Sequence, residues 1–225
     1  TTDVNITQDK NVVVSYANPT FTLTPSSNQT LPASGGSITA SVSNVQQVRT
    51  WSSTSTDTFT PSSNTTWNAQ TISCDSRGTV TGDALTLGTT TATVTANGKS
   101  TSKSYVVYQQ ANAVTSTTWG DITGTPTGSC SDIPAGGGTV TATTTTPQTL
   151  AQNYKYNYTS GSQDANWKST NVSCSVSYPN GNTATASSLG TTVKDRTHIA
   201  TLTVRASANG KTKDGYVYVY QQAND

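Results

Sequence analysis

Apolar and polar positions alternate in short runs along nearly the whole chain. Phe21 and Leu23, then Ile38, Ala40 and Val42, then Ala92 and Val94 are separated by Thr or Ser, and Tyr105 and Val107 keep the same spacing across Val106, the period of two that a half-buried antiparallel strand requires. The pattern returns at Val140 and Ala142, at Leu202 and Val204, with Ile199 three residues before them, and at Val217 and Val219. Asn97-Gly98 and Asn209-Gly210 each stand between two alternating runs. Both central residues of the tightest hairpin turn need positive φ, which Asn-Gly tolerates, so a hairpin is predicted at each. About seven short strands per hundred residues, with turn signals roughly every eight to twelve, predict a sandwich of two sheets.

The chain also repeats itself. Leu31-Pro-Ala-Ser-Gly-Gly36 returns as Ile133-Pro-Ala-Gly-Gly-Gly138, Trp67 with Cys74 as Trp167 with Cys174, and Leu87-Gly-Thr-Thr90 as Leu189-Gly-Thr-Thr192. Ala96-Asn-Gly-Lys99 returns as Ala208-Asn-Gly-Lys211, and Tyr108-Gln-Gln-Ala-Asn112 as Tyr220-Gln-Gln-Ala-Asn224. Five blocks in one order predict two copies of one module. The expected boundaries are an N-terminal strand or linker at 1–19, which resembles the close of a preceding module, and domains at 20–112 and 113–225. On this alignment the second copy carries about ten extra residues around Val193 to Thr201. The run from Val12 to Asn18 either pairs within the chain or is a strand offered to a neighbour; the first is preferred, because proteins cover free strand edges.

Composition narrows the class further. About a fifth of the residues are Thr, and Glu and Met are absent, which removes strong helix formers and keeps β-branched ones. Lys and Arg number 12 against 11 acidic residues and are scattered singly, so no nucleic-acid partner is expected. No apolar run reaches the roughly 18 to 20 residues of a membrane span, so membrane insertion is not expected, and the amino end lacks the pattern of a signal peptide. A Ser/Thr/Asn surface suits an extracellular setting. Cys74 and Cys174, at matched repeat positions, read as buried small apolar residues; Cys130 either stays a thiol or bridges Cys174 in an oxidising compartment.

Catalytic chemistry has little to work with. His198 is the single His; it falls in the extra segment of the second copy and reads as a solvated loop or edge residue. No nucleophile elbow or paired carboxylates occur, so neither an enzyme nor a cofactor is expected. No metal is expected either, a calcium ion on Asp121 and Asp132 being the weighed alternative. Aromatic side chains carry the remaining binding chemistry. Trp67 and Trp167 recur in register and read as core, and Trp51, with a counterpart among three second-copy tyrosines, leans the same way. Those tyrosines, Tyr154, Tyr156 and Tyr158, alternate along one strand and face one side, which makes them the first ligand-contact candidates, with Trp119 next. Tyr216, Tyr218 and Tyr220 stripe the final strand opposite Val217 and Val219. Together with Val13 and Val14 they are candidates for an assembly surface.

The blocks Pro-Ala-Ser-Gly-Gly, the Trp-bearing middle, and Ala-Asn-Gly-Lys followed by Tyr-Val-Val-Tyr-Gln-Gln-Ala-Asn resemble bacterial Ig-like modules of the BACON and Big types, frequent in Bacteroidetes surface proteins and in virion proteins of their phages. The resemblance implies tandem immunoglobulin-like β-sandwich domains with a non-enzymatic role on a bacterial cell surface or virion: structural or adhesive, with weak glycan contact. It carries over no functional residues. The expected partners are other modules or subunits of the same surface assembly, and cell-surface or mucosal glycans. A dedicated carbohydrate-binding module, and a filament or shell subunit joined by strand donation through residues 1–17, are the alternatives.

Overall fold

A computed structural model describes residues 13–51 and 55–224. Every regular element among them is a β-strand, as the alternating pattern and the lack of helix formers predict. The chain divides into two compact units, Thr1–Ala113 with Tyr158–Ser162, and Val114–Asn157 with Gln163–Asp225. Each is an immunoglobulin-like sandwich of facing sheets.

In the first unit, β1 (Val14–Tyr16), β5 (Ser41–Trp51), β2 (Thr20–Thr24) and β6 (Ser55–Phe59) form one sheet. β3 (Gln29–Leu31), β10 (Lys99–Gln109), β9 (Leu85–Ala96) and β7 (Asn64–Trp67) form the other, with β3 parallel to β10. β4 (Gly36–Thr39) pairs with β8 (Thr71–Cys74). β6 pairs with β5 and β7 with β9, so one stretch of chain crosses between the sheets, interrupted at Pro61, which cannot donate to a ladder. Phe21, Leu23, Leu31, Ala92, Val94, Tyr105 and Val107 close the core. They are the residues picked out by the period-two pattern.

The second unit has β11 (Val114–Ile122), β12 (Gly138–Thr141), β13 (Gln148–Tyr158), β14 (Lys168–Ser177), β15 (Thr183–Ala186), β16 (Thr197–Ala208) and β17 (Lys211–Gln221). Here one strand makes the whole crossing: β14 pairs with β13 through Lys168–Cys174 and with β16 through Ser175–Ser177. Ile133, Ala142, Val204, Val217 and Val219 fill the core.

Both hairpins form as predicted, with Asn97 at φ 46° and Gly98 at 73°, and Asn209 at 49° and Gly210 at 72°. A side chain that reads as solvent-facing in the sequence holds each in place. Gln47, 1% exposed, donates from Nε2 to Ala17 O at 2.8 Å and Ala96 O at 3.1 Å, and its Oε1 accepts from Asn97 Nδ2 at 2.8 Å. Gln152, fully buried, does the same with Gly120 O at 3.0 Å, Ala208 O at 3.4 Å and Asn209 Nδ2 at 2.9 Å. These cores are rich in Ala and Val, and a satisfied buried amide fixes geometry that small apolar side chains leave open.

The same reasoning explains the Tyr-Gln-Gln-Ala-Asn ending. Gln109 Nε2 donates to Asp75 O at 2.8 Å and Gln221 Nε2 to Ser187 O at 2.9 Å, tying the last strand to the turn beside Gly35 or Gly137. Those glycines sit at φ 87° and 81°, where a Cβ would lie 2.8 Å and 2.5 Å from backbone atoms. Asn112 Nδ2 donates to Gly78 O and Val80 O, and Asn224 Nδ2 to Gly190 O and Thr192 O.

These contacts correct two of the five repeat blocks. Asn224 meets Gly190 and Thr192 where Asn112 meets Gly78 and Val80, so Leu189–Thr192 corresponds to Arg77–Val80, not to Leu87–Thr90. A Gly-Thr pair matches easily in a Thr-rich chain. The extra residues therefore do not lie around Val193 to Thr201. His198 stands in β16 opposite Tyr220, as Thr86 stands opposite Tyr108, with Nε2 3.0 Å from Thr201 Oγ1. Nor are the Trp and Cys pairs equivalent. Cys74 lies opposite Gly36 and Ala186 opposite Gly138, whereas Cys174 lies opposite Gln148. Trp67 packs against the first core, but Trp167 is 50% exposed. Tyr178, which follows Ser177 in the strand register, packs against the second core in its stead. Cys130 and Cys174 are free thiols, both pushed above the usual range chiefly by burial.

Candidate binding surface

The inner faces of two sheets run on past the hairpins that cap their cores, and aromatic side chains collect there. In β13, Leu150 packs on the core, Gln152 holds the hairpin, and Tyr154 and Tyr156 continue the same face by strand alternation. Gly120 O accepts from Gln152; the residue before it, Trp119, sits in β11 with its ring 5.8 Å from that of Tyr154. Tyr154 and Tyr156 meet edge to face at 5.1 Å, a favoured aromatic geometry. The three rings, with Thr117 and Thr170, line a cleft of about 190 Å³. That is smaller than the roughly 300–1,000 Å³ typical of drug-sized ligands, so it suits a single ring.

A fixed charge pair borders this cradle. Lys168 Nζ lies 2.9 Å from Asp164 Oδ2 and 4.7 Å from the centre of the Tyr156 ring, and Asp164 Oδ2 accepts from Tyr156 N at 2.9 Å. The Tyr154 hydroxyl is held above its ordinary pKa, first by its hydrogen bond with Tyr156 and then by burial. An aromatic floor with hydroxyl and ammonium donors at its rim offers stacking area and hydrogen bonds together.

The structure separates the three tyrosines predicted as one stripe. Tyr158 is buried and belongs to the first unit, where Ser160 N donates to Asn112 Oδ1 at 3.0 Å and Ser160 Oγ to Gly78 O at 2.6 Å. Tyr154 and Tyr156 are half-buried, as is Trp119. Trp167 lies on the opposite face, its indole flat against Gly120 and its ring 4.8 Å from Lys155 Nζ.

The final strand carries a different aromatic surface. Tyr216 and Tyr218 are 57% and 55% exposed, while Tyr220 is half-buried beneath Arg196, whose guanidinium carbon lies 3.8 Å from the ring centre, and beside His198. Val13 and Val14 are exposed as well, Val14 in β1 and paired with Trp51 of the same chain. Residues 1–12, most of the segment considered for strand donation, lie outside the described residues. Asp132, weighed as a calcium ligand, is held by Arg196 at 2.6 and 2.9 Å, which puts a cation in the place of the ion. A wider cleft of about 770 Å³ between Thr125 and Leu150 is lined largely by Thr, Ser, Gly and Gln side chains, and no aromatic or ionisable group reaches it.

Sequence comparison finds no matching family and no matching curated protein. Among solved structures the chain is similar to the four N-terminal Ig domains of Dscam1 isoform 9.44, at 9% identity and a TM-score of 0.19, covering 92% of this chain but 47% of that one. It is also similar to the titin Ig tandem A164-A165, at 10% identity and a TM-score of 0.19, and to a chimeric titin Z1Z2 carrying a decorin peptide, at 10% and 0.21; each covers 93% of this chain and 100% of the other. Scores this low add nothing to what the strand pairings already establish. The chain is an all-β pair of immunoglobulin-like sandwiches.

Proposed function

We propose that this chain is a non-enzymatic, extracellular structural and adhesive protein, displayed on a bacterial surface or phage virion, that makes weak contact with glycans through Trp119, Tyr154 and Tyr156. The carrying observation is the second unit's cradle, with three half-buried rings, two threonines and an ion-paired lysine on strands fixed by a buried glutamine. Stacking of sugar rings on aromatic faces, with hydroxyls meeting Thr and Lys, uses that chemistry without moving the backbone. The likeness to BACON and Big modules supports a surface setting. Screening the chain on a glycan array tests the reading: binding that a Tyr156→Ala variant loses is the expected result, and no binding, or equal binding by the variant, overturns it.

A second role rests on the exposed Tyr216 and Tyr218. A stripe of this kind on a strand whose other face is core serves as a packing surface for a further module or subunit of the assembly. Sedimentation velocity on a Tyr216→Ser, Tyr218→Ser variant tests it, with weaker self-association as the expected outcome and unchanged association as the contrary one.

A further inference from the structure

The buried glutamines give a common register for the two units. Gln47 and Gln152 make the same three hydrogen bonds, so positions counted from them correspond: Arg49 with Tyr154, and Trp51 with Tyr156. Ala17 O and Gly120 O take the same donor, so Tyr16 corresponds to Trp119. Phe59 lies opposite Gln47 as Thr170 lies opposite Gln152. Val14, Tyr16, Arg49 and Trp51 line a cleft of about 210 Å³ in the first unit. The second unit's cradle lies at the same register positions.

A bulge explains how the first unit points these residues inward. Asn44, at φ 53°, shifts the β2–β5 register, so Val42 packs on the core before it and Val45 after it. Gln47, Arg49 and Trp51 then follow on the inner face, beyond the hairpin.

The first cradle differs in its polar part. Arg49 is bidentate to Asp57, Nε to Oδ1 at 2.8 Å and Nη2 to Oδ2 at 2.9 Å. Its guanidinium carbon lies 5.2 Å from the Trp51 ring centre and 4.8 Å from that of Phe59, and Tyr16 closes the other side 6.3 Å from Phe59. The fork is thus held in place by a carboxylate and two rings, leaving Nη1 donors and carboxylate lone pairs side by side at the cleft. Each hydroxyl of a vicinal diol both donates and accepts, and a sugar ring has an apolar face for the aromatic wall.

We propose that Tyr16, Arg49, Trp51 and Phe59 form a second sugar-binding cradle, equivalent to that of Trp119, Tyr154 and Tyr156 and more firmly anchored to ring hydroxyls. This rests on the glycan reading above.

The indole N–H groups report on each cradle separately. The full chain, labelled with ¹⁵N at Trp, is titrated with cellotriose, chitotriose, maltotriose and laminaritriose while the four indole signals are followed. With at least one of these sugars the Trp51 and Trp119 signals shift saturably, and those of Trp67 and Trp167 stay still. Arg49→Gln weakens the Trp51 response roughly fivefold to tenfold and leaves Trp119 unchanged, as expected for lost charge-assisted hydrogen bonds. Tyr156→Ala does the reverse, so each variant is the folding control for the other. If Trp119 responds and Trp51 does not, the second cradle is wrong and the glycan reading stands. If Trp51 alone responds, the second cradle stands and the proposed site of the glycan reading is wrong. If neither responds to any of the four sugars, both fall.

Discussion

The last strands of the two units are built to one plan, yet their outer faces differ. Inward, Tyr105 and Val107 in β10 match Val217 and Val219 in β17, and all four are buried. Outward, Ser104, Val106 and Tyr108 stand where Tyr216, Tyr218 and Tyr220 stand. What the units share, the amide staples, the Asn-Gly hairpins and the positive-φ glycines, maintains the sandwich. What differs between them lies outside that framework, on the outer face of the last strand and in the cradles. The cradles combine the two: their positions are shared and their side chains are not, with Arg49 and Asp57 in one and Tyr154 and Lys168 in the other.

Attacking the shared parts should cost most. Gly137→Ala forces a Cβ to 2.5 Å from Ser188 N at φ 81°. It is expected to lower stability by about 3 kcal/mol or more, read as a fall in Tm, and Gly35→Ala by a similar amount. A loss under about 1 kcal/mol would show that the turn relaxes freely. Next come Gln47→Ala and Gln152→Ala, each stranding two carbonyls and an Asn amide. The expected cost is about 2–4 kcal/mol in chemical denaturation, similar in the two units. Strongly unequal costs would break the equivalence on which the common register depends.

The hairpins and the core alternation are legible in the sequence because they depend on local chemistry, positive φ at Asn-Gly and a period of two. The staples are not, since a Gln in a polar strand reads as solvent-facing until its partners are known. Two repeat blocks mislead for a related reason: Gly-Thr-Thr recurs by composition, and the equal spacing from Trp67 to Cys74 and from Trp167 to Cys174 hides different registers. Tyr154 and Tyr156 can be picked out from aromatic alternation and Trp119 as an aromatic between the modules, but Arg49, Asp57 and Phe59 cannot, because cross-strand pairing brings them together. Alternation also puts Tyr158 in the stripe, although it is buried with the first unit.

Changes to the differing parts should cost little. Tyr216→Ser with Tyr218→Ser is expected to leave stability within about 0.5 kcal/mol, and a loss above about 2 kcal/mol would show that the stripe is covered within the chain. The smallest effect is on pH dependence. Asp132 beside Arg196 and Asp214 beside Arg205 are held below the usual carboxylate range by side-chain hydrogen bonds to those guanidiniums. Their contribution is therefore complete above the unfolded pKa, about 3.9. It is lost as the pH falls through the lower folded values. In an acid titration of stability, Arg196→Gln with Arg205→Gln should flatten the slope below pH ~4 and leave the neutral range almost unchanged; an equal slope would show that the pairs contribute nothing.

The central claim is that ligand contact belongs to the overhanging inner face and not to the tyrosine stripe of β17. Native electrophoresis in gels containing β-glucan, galactomannan, xyloglucan or mucin compares the wild type with Tyr156→Ala and Tyr218→Ser. At least one gel is expected to retard the wild type and Tyr218→Ser but retard Tyr156→Ala less. Retardation that survives Tyr156→Ala and disappears in Tyr218→Ser would contradict the account.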